Sequence, residues 1–298
     1  MGDLKPYKLS KAKMSDIETQ ADKSYLDVHP IRISTMTQVA SLDTKIDLET
    51  LFESLPQDGT EALTYAIFGY KAKGESGKKK KVLGDETVGG KARKRYFFNQ
   101  VTFHVQVEKK VNMKVFNNGG IQMTGLRSEA QGEDSIATLI RYVKTLEPEV
   151  QARIFVDTTT PCRMNPRMVM INSDFDLKMK VDREKLHRHI VSSGQYSSYS
   201  PEIYPGVNIK YYYNLAKQQS GICNCEGMCD GKGHDGSCKK VTVAVFRSGK
   251  VIITGGQTMD HLHTAHTFIC DFIHKHKSEI QEIQEIQGIQ GIQGIPGE

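Results

Sequence analysis

The segment Val115-Phe116-Asn117-Asn118-Gly119-Gly120-Ile121-Gln122-Met123-Thr124-Gly125 returns 130 residues later as Val245-Phe246-Arg247-Ser248-Gly249-Lys250-Val251-Ile252-Ile253-Thr254-Gly255. Each copy is preceded by alternating apolar residues (Val111, Met113, Val115; Val241, Val243, Val245), turns at Gly119 or Gly249, and runs into a short strand ending in Thr-Gly, the pattern of a β-hairpin. An amphipathic helix follows at the same offset, with Ile136, Leu139, Ile140 and Val143 on one face in the first copy and Leu262, Ala265, Ile269, Phe272 and Ile273 in the second. Upstream, Lys45-Ile46-Asp47-Leu48-Glu49-Thr50-Leu51 pairs with Lys180-Val181-Asp182-Arg183-Glu184-Lys185-Leu186, where Asp47 and Asp182 are natural helix N-caps. Candidate strands precede these helices (Ile31 to Thr37, Met168 to Asn172), and alternating runs follow them (Val101, Phe103, Val105, Val107; Val207, Ile209, Tyr211, Tyr213). The chain therefore reads twice as strand, helix, three strands and helix. A period above 100 residues exceeds any solenoid unit, so the expectation is an α+β fold whose halves share one sheet about a pseudo-two-fold axis. Two independent domains on a linker are the alternative.

Two features break the repeat. Residues 71–95 carry ten basic residues (Lys71, Lys73, Lys78 to Lys81, Lys91, Arg93, Lys94, Arg95) against three acidic ones, although the whole chain has a net charge of only +5. Such a segment adds salt-sensitive, sequence-independent affinity for nucleic acid, since Lys and Arg release counterions from phosphates; a solvated loop without a partner is the alternative. Residues 217–239 hold Cys223, Cys225, Cys229 and Cys238, four of the chain's six cysteines. Four thiolates can supply a closed tetrahedral zinc site, with His234 as a substitute ligand. Disulfides or free thiols in a flexible loop remain open, because this spacing is not a standard finger. Cys162 and Cys270 stand apart and read as ordinary residues, and the histidines at 261, 263, 266, 274 and 276 read as a solvated helix face.

Gln195-Tyr196-Ser197-Ser198-Tyr199-Ser200-Pro201-Glu202-Ile203-Tyr204-Pro205-Gly206, taken with Val245 to Lys250 and Ile253-Thr254-Gly255, resembles the second repeat of the TATA-box-binding protein family. Ile33-Ser34-Thr35, Ile46 to Thr50 and Val115 to Gly125 match the first repeat more loosely. The resemblance covers residues 30–147 and 168–277, leaving an arm (1–29), a connector (148–167) and a low-complexity tail (278–298) in which Gly recurs every three residues. It implies a saddle of curved antiparallel sheet with helices on its convex face, binding the minor groove of A/T-rich double-stranded DNA and bending it.

The resemblance further implies aromatic wedges at Phe98 and Phe116 in one half and at Tyr204 and Phe246 in the other. It places groove-facing hydroxyls at Thr124 and Thr254, apolar groove contacts at Ile33 and Ile252, and phosphate-binding cations at Lys250 and Arg95. Glu202 and Ile203 match the family's docking surface for a B-type general transcription factor and the polymerase machinery. No membrane, small-molecule substrate or catalytic constellation is implied, and the location expected is a nucleus or a viral factory, with packaging in a virion as an option. The departures are equally specific. The family carries an asparagine in the opening strand of each repeat, where the simplest alignment puts Ile31 and Met170, with Asn172 two residues displaced. Gln122, Lys114 and Gly120 replace residues expected of the groove. Together with the insertions, these point to a divergent member such as those of large DNA viruses. A packaging or protein-binding role that keeps the saddle is the competing reading.

Overall fold

The computed structural model describes residues 28–75, 97–158, 160–216, 220–234 and 236–282. The first repeat runs β1 (Arg32–Leu42), α1 (Leu48–Ser54), β2 (Leu63–Phe68), β3 (Lys71–Gly74), β4 (Gln100–Gln106), β5 (Lys110–Phe116), β6 (Gly120–Leu126), α2 (Glu129–Val143) and α3 (Pro148–Ile154). The second runs β7 (Arg163–Asp176), α4 (Arg183–Ser192), β8 (Tyr196–Ser200), β9 (Tyr204–Tyr213), β10 (Lys239–Val245), β11 (Lys250–Gly256), α5 (Met259–Lys275) and α6 (Lys277–Ile280). All eleven strands form one sheet in the order β3-β2-β4-β5-β6-β1-β7-β11-β10-β9-β8. Apart from the extra edge strand β3, this order is a palindrome about the antiparallel β1–β7 pair, which therefore carries the pseudo-two-fold axis.

Strand alternation sorts every side chain. Val101, Phe103 and Val105 of β4, Val111, Met113 and Val115 of β5, and Val241, Val243 and Val245 of β10 are buried. They face Ile136, Leu139 and Val143 of α2 or Leu262, Ala265, Ile269 and Ile273 of α5, and together these form one continuous core. The apolar helical stripes expected from periodicity are thus the packed ones, with Ile140 and Phe272 at their margins. Among the described residues, the opposite, concave face of the sheet carries no helix.

The duplicated motifs do the same work in both halves. Asp47 accepts from Thr50 N–H at 2.8 Å and Asp182 from Lys185 N–H at 3.1 Å, capping α1 and α4. Gly119 and Gly249 take φ of +82° and +84°, and a Cβ on either would lie 2.3 Å from Thr44 O or 2.1 Å from Met179 O. Only glycine fits, and each returns its carbonyl to the opening strand, to Leu42 N at 2.8 Å and Leu177 N at 2.9 Å.

Several expectations need correction. Four strands follow α4, not three, and the matching strand β2 follows α1; Tyr196–Ser200 and Leu63–Phe68 escape a reading by periodicity because serines and threonine break their apolar alternation. The opening strands are longer than Ile31 to Thr37 and Met168 to Asn172. The connector holds α3, whose Ile154 is fully buried, and the tail begins with α6, whose Ile280 is equally buried. These short helices are counterparts: Phe155 bridges Ile46 in one half and Gln281 bridges Val181 in the other. The arm before Val28, most of the basic insertion (76–96, with Arg95) and the tail after Glu282 lie outside the described residues. Among the described residues, no helix is long and apolar enough to cross a membrane.

Candidate nucleic-acid interface

The concave face is built of matched ladders that cross the two-fold axis. One ladder joins Lys114, Gln122, Val39 and Arg167 across β5, β6, β1 and β7. Its mate joins Ala244, Ile252, Asp174 and Arg32 across β10, β11, β7 and β1. The next ladder toward the axis holds Asn112, Thr124, Thr37 and Met170, matched by Thr242 opposite Thr254 and by Thr35 opposite Asn172. Thr124 and Thr254 are thus half-buried, symmetry-related and on the open face, where the sequence places them. Ile252 is there too. Ile33 is not: it pairs with the buried Ser173 and packs on the helix side against the core. A bulge at Ser34 is the physical reason, because one extra residue in β1 shifts the alternation that the candidate strand assumed.

Asn172 lies on the open face beside the axis, and its Oδ1 is buried without a hydrogen-bond partner among the described residues. Ile31 precedes β1, and Met170 is the mate of Thr35. An asparagine therefore stands on the open face in one half.

The aromatic ends differ. Tyr204 and Phe246 meet with ring centroids 5.7 Å apart at 60°. Gly206 makes that contact possible: a Cβ there would lie 2.8 Å from Tyr204 Cε1 and 3.2 Å from Phe246 Cε1. In the first half Phe116 is half-buried over Gly120, but Phe98, 57% exposed, turns away onto the β2–β3 turn. It meets Phe68 edge-on at 5.7 Å and Tyr70 at 6.3 Å, directly over Gly69. Gln100 stands opposite Phe116 where Gly206 stands beside Phe246, so the first half lacks the space that lets the second pair close.

Cations line the same face. Lys250 bonds Asp176 at 2.9 Å. Lys210 bonds Thr242 Oγ1 at 2.9 Å, and burial with Lys240 nearby holds its amine below the usual range. Arg32 grips Asp174 through Nε and Nη2, the nearest contact being 2.8 Å, and the Ser34 hydroxyl donates to Asp174 Oδ1 at 2.5 Å. Arg32, Asp174 and Arg167 are not singled out by sequence; the signal is the two-residue alternation, provided β7 is started at Arg163. Glu202 and Ile203 form the β8–β9 turn, with Ile203 87% exposed. Arg183 braces that turn, donating to Pro205 O and lying 5.4 Å over the Tyr199 ring.

Away from the face, Cys223, Cys225, Cys229 and Cys238 converge in the β9–β10 loop with all four sulfurs within 4.8 Å of one another. Cys238 Sγ lies 3.5 Å from Cys225 Sγ and 3.8 Å from Cys223 Sγ, and none is in a disulfide. A tetrahedral zinc with Zn–S bonds of about 2.3 Å separates its sulfurs by roughly 3.8 Å, so the donor set fits that ion. The Cys225 thiol is drawn down to about 7 by hydrogen bonds from Cys238, whereas burial pushes Cys238 up to about 12. The histidines do not form one solvated face, although His274 is exposed. His266 is fully buried against Phe175 and bonds His29 O at 2.9 Å, and His261 completes a capping box with Thr258. His276, His189 and Glu279 also cluster, with His189 Nε2 at 3.1 Å from Glu279.

Residues 165–276 match the family model described as transcription factor TFIID, or TATA-binding protein. A TATA-box-binding protein-like protein of Acanthamoeba polyphaga mimivirus is 27% identical over 272 residues, covering 87% of this chain and 69% of that protein. The TATA-box-binding protein of Saccharomyces cerevisiae is 24% identical over 158 residues, covering 53% of this chain and 50% of that protein; for the Bombyx mori protein the figures are 23%, 53% and 39%. The chain thus spans half or less of these cellular relatives. Among solved structures, the TBP of Methanococcus jannaschii aligns over 82% of this chain and 98% of its own, with a TM-score of 0.49 and 21% identity.

Proposed function

We propose that the chain is a divergent member of the TATA-box-binding-protein family, a DNA-binding transcription factor rather than an enzyme, and that it seats its concave face in the minor groove of A/T-rich promoter DNA and bends the duplex. The observation that carries this reading is the Tyr204–Phe246 pair at one end of an open sheet face, with Phe116 at the other. Aromatic wedges at both ends unstack base steps, at roughly a few kcal/mol per step, a figure drawn from minor-groove benders of which this family is itself an example. Burying the widened groove on Ile252, Val39, Met170 and the threonine ladder offsets that cost. Because width and deformability are read without base-specific donors, changed groove residues alter the preferred sequence more than the bending.

The platform role belongs to the convex side and the β8–β9 turn. An 87% exposed Ile203 beside Glu202 is the kind of apolar and acidic pairing that a B-type general transcription factor takes in this family. The Cys-rich loop holds one structural zinc that orders the β9–β10 connection, with Cys223, Cys225, Cys229 and Cys238 as ligands and no part in the saddle itself. A packaging role is favoured by the basic run Lys78 to Lys81 and by Ile31 and Met170 at the altered asparagine positions. Selection from random duplexes followed by a bending assay on the winners decides between them. Enrichment of an A/T-rich site that bends on binding is expected; equal, salt-limited binding of all duplexes without bending would establish the packaging role instead.

A further inference from the structure

The two halves of the saddle differ most at one symmetry-related trio. Around Arg32 stand Ser34, the extra residue of the β1 bulge, and Asp174 across the strand pair. The two-fold axis carries these onto Arg167, Val169, the extra residue of the matching β7 bulge, and Val39. The arginine is kept, while the acid and the hydroxyl that donates to it exist in one half only. Among the described residues, no ion pair joins Arg167 or Lys114, so the ladder Lys114-Gln122-Val39-Arg167 presents two uncompensated cations. Its mate, Ala244-Ile252-Asp174-Arg32, presents a neutralised pair.

Asp174 is held for use as an acceptor. Partial burial works against its charge, but the Ser34 hydroxyl and the Arg32 guanidinium outweigh this and hold its carboxyl below the usual range. A carboxylate has about four acceptor sites. Three donor groups meet them: Arg32 Nε and Nη2 each reach both oxygens and the Ser34 hydroxyl adds to Oδ1, so the carboxylate has fewer donors than acceptor sites. The minor groove shows acceptors at adenine N3 and thymine O2, which repel a carboxylate, and a single donor, the guanine N2 amino group. At the other half, cations without counter-ions favour an A·T run, whose minor-groove edge shows acceptors and no amino group.

We propose that Asp174 reads a guanine amino group, so that the second repeat sits on a groove containing a G·C pair while the first sits on uninterrupted A·T, which fixes the orientation of the protein on its site. This rests on the minor-groove reading above and names its substrate: an asymmetric duplex rather than a symmetric A·T run.

The experiment is selection from random duplexes with the full chain, with bending measured on each winning pool. The wild type should enrich a G·C pair in one half-site only. Asp174→Asn presents amide donors in nearly the same shape and should lose that pair in favour of A·T, with about tenfold weaker binding to the wild-type site. Val39→Asp with Val169→Ser moves the trio into the first half and should enrich G·C in both. Circular dichroism confirms that each variant is folded; if Asp174→Asn is not, the Val39→Asp, Val169→Ser graft decides. A wild type that bends DNA but selects only A·T, or a folded variant with an unchanged motif, would overturn the role of Asp174 and leave the minor-groove reading standing. A wild type that binds and bends no duplex would overturn both.

Discussion

Gly206 is where a single atom decides the shape of a wedge. A Cβ there falls within 3.2 Å of Phe246 and closer still to Tyr204, so Gly206→Ala should splay the two rings. Bending should fall while the unfolding midpoint moves little, because neither ring belongs to the core. Phe116→Ala and Phe246→Ala carry the same logic further. Each should weaken binding to a bent site by about 1–3 kcal/mol, the range for an aromatic stacked on a base, and reduce bending more than stability. Equilibrium urea unfolding beside a fluorescence bending assay checks this; folded protein that bends DNA normally would make these rings packing residues. Phe116, Phe246, Thr124 and Thr254 were legible because they sit in a duplicated hairpin. Phe98 and Ile33 were not: a ring that turns onto Gly69 and a bulge at Ser34 are three-dimensional facts that spacing does not encode.

Among the elements, the short helix α6 was hidden in a segment that reads as low complexity. Its Ile280 is fully buried, so Ile280→Ala should cost about 2–4 kcal/mol of stability by urea unfolding, within the usual range for a buried isoleucine. An unchanged midpoint would mean that this turn is detached from the fold. The basic insertion divides differently from its composition. Lys71 and Lys73 belong to β3 and are tied to Glu53, with Lys73 also donating to Leu55 O at 2.7 Å, so deletion must begin at residue 76 to spare the sheet. Removing 76–95, with eight basic residues against two acidic ones, should weaken all duplexes alike. It should also flatten the slope of log affinity against log salt by about 0.9 for each phosphate that the shortened chain no longer neutralises. An unchanged slope would make the insertion a solvated loop. The cysteine loop should bind about one zinc per chain by elemental analysis, and replacing all four cysteines by serine should abolish this while leaving bending intact. Metal-free native protein with four free thiols would refute the site, and global unfolding of the variant would refute its independence.

For the whole molecule, the duplication was the most legible property, because hairpins, caps and helices repeat in order; that the halves share one sheet rather than form two domains is decided by the β1–β7 pairing. Its asymmetry was not, because it lies in Asp174, Arg167 and Gln100, residues whose importance emerges only when strand register pairs each with its mate. On the proposed function, this open face binds the minor groove and bends the duplex. Replacing the A·T pairs of the selected site by inosine–cytosine pairs tests it most directly, since these show the major groove of G·C but keep the minor-groove acceptors of A·T. Affinity and bending unchanged within about twofold, well under the tenfold that 1.4 kcal/mol represents, are predicted; loss of both on the substituted duplex would show that the protein reads the other groove.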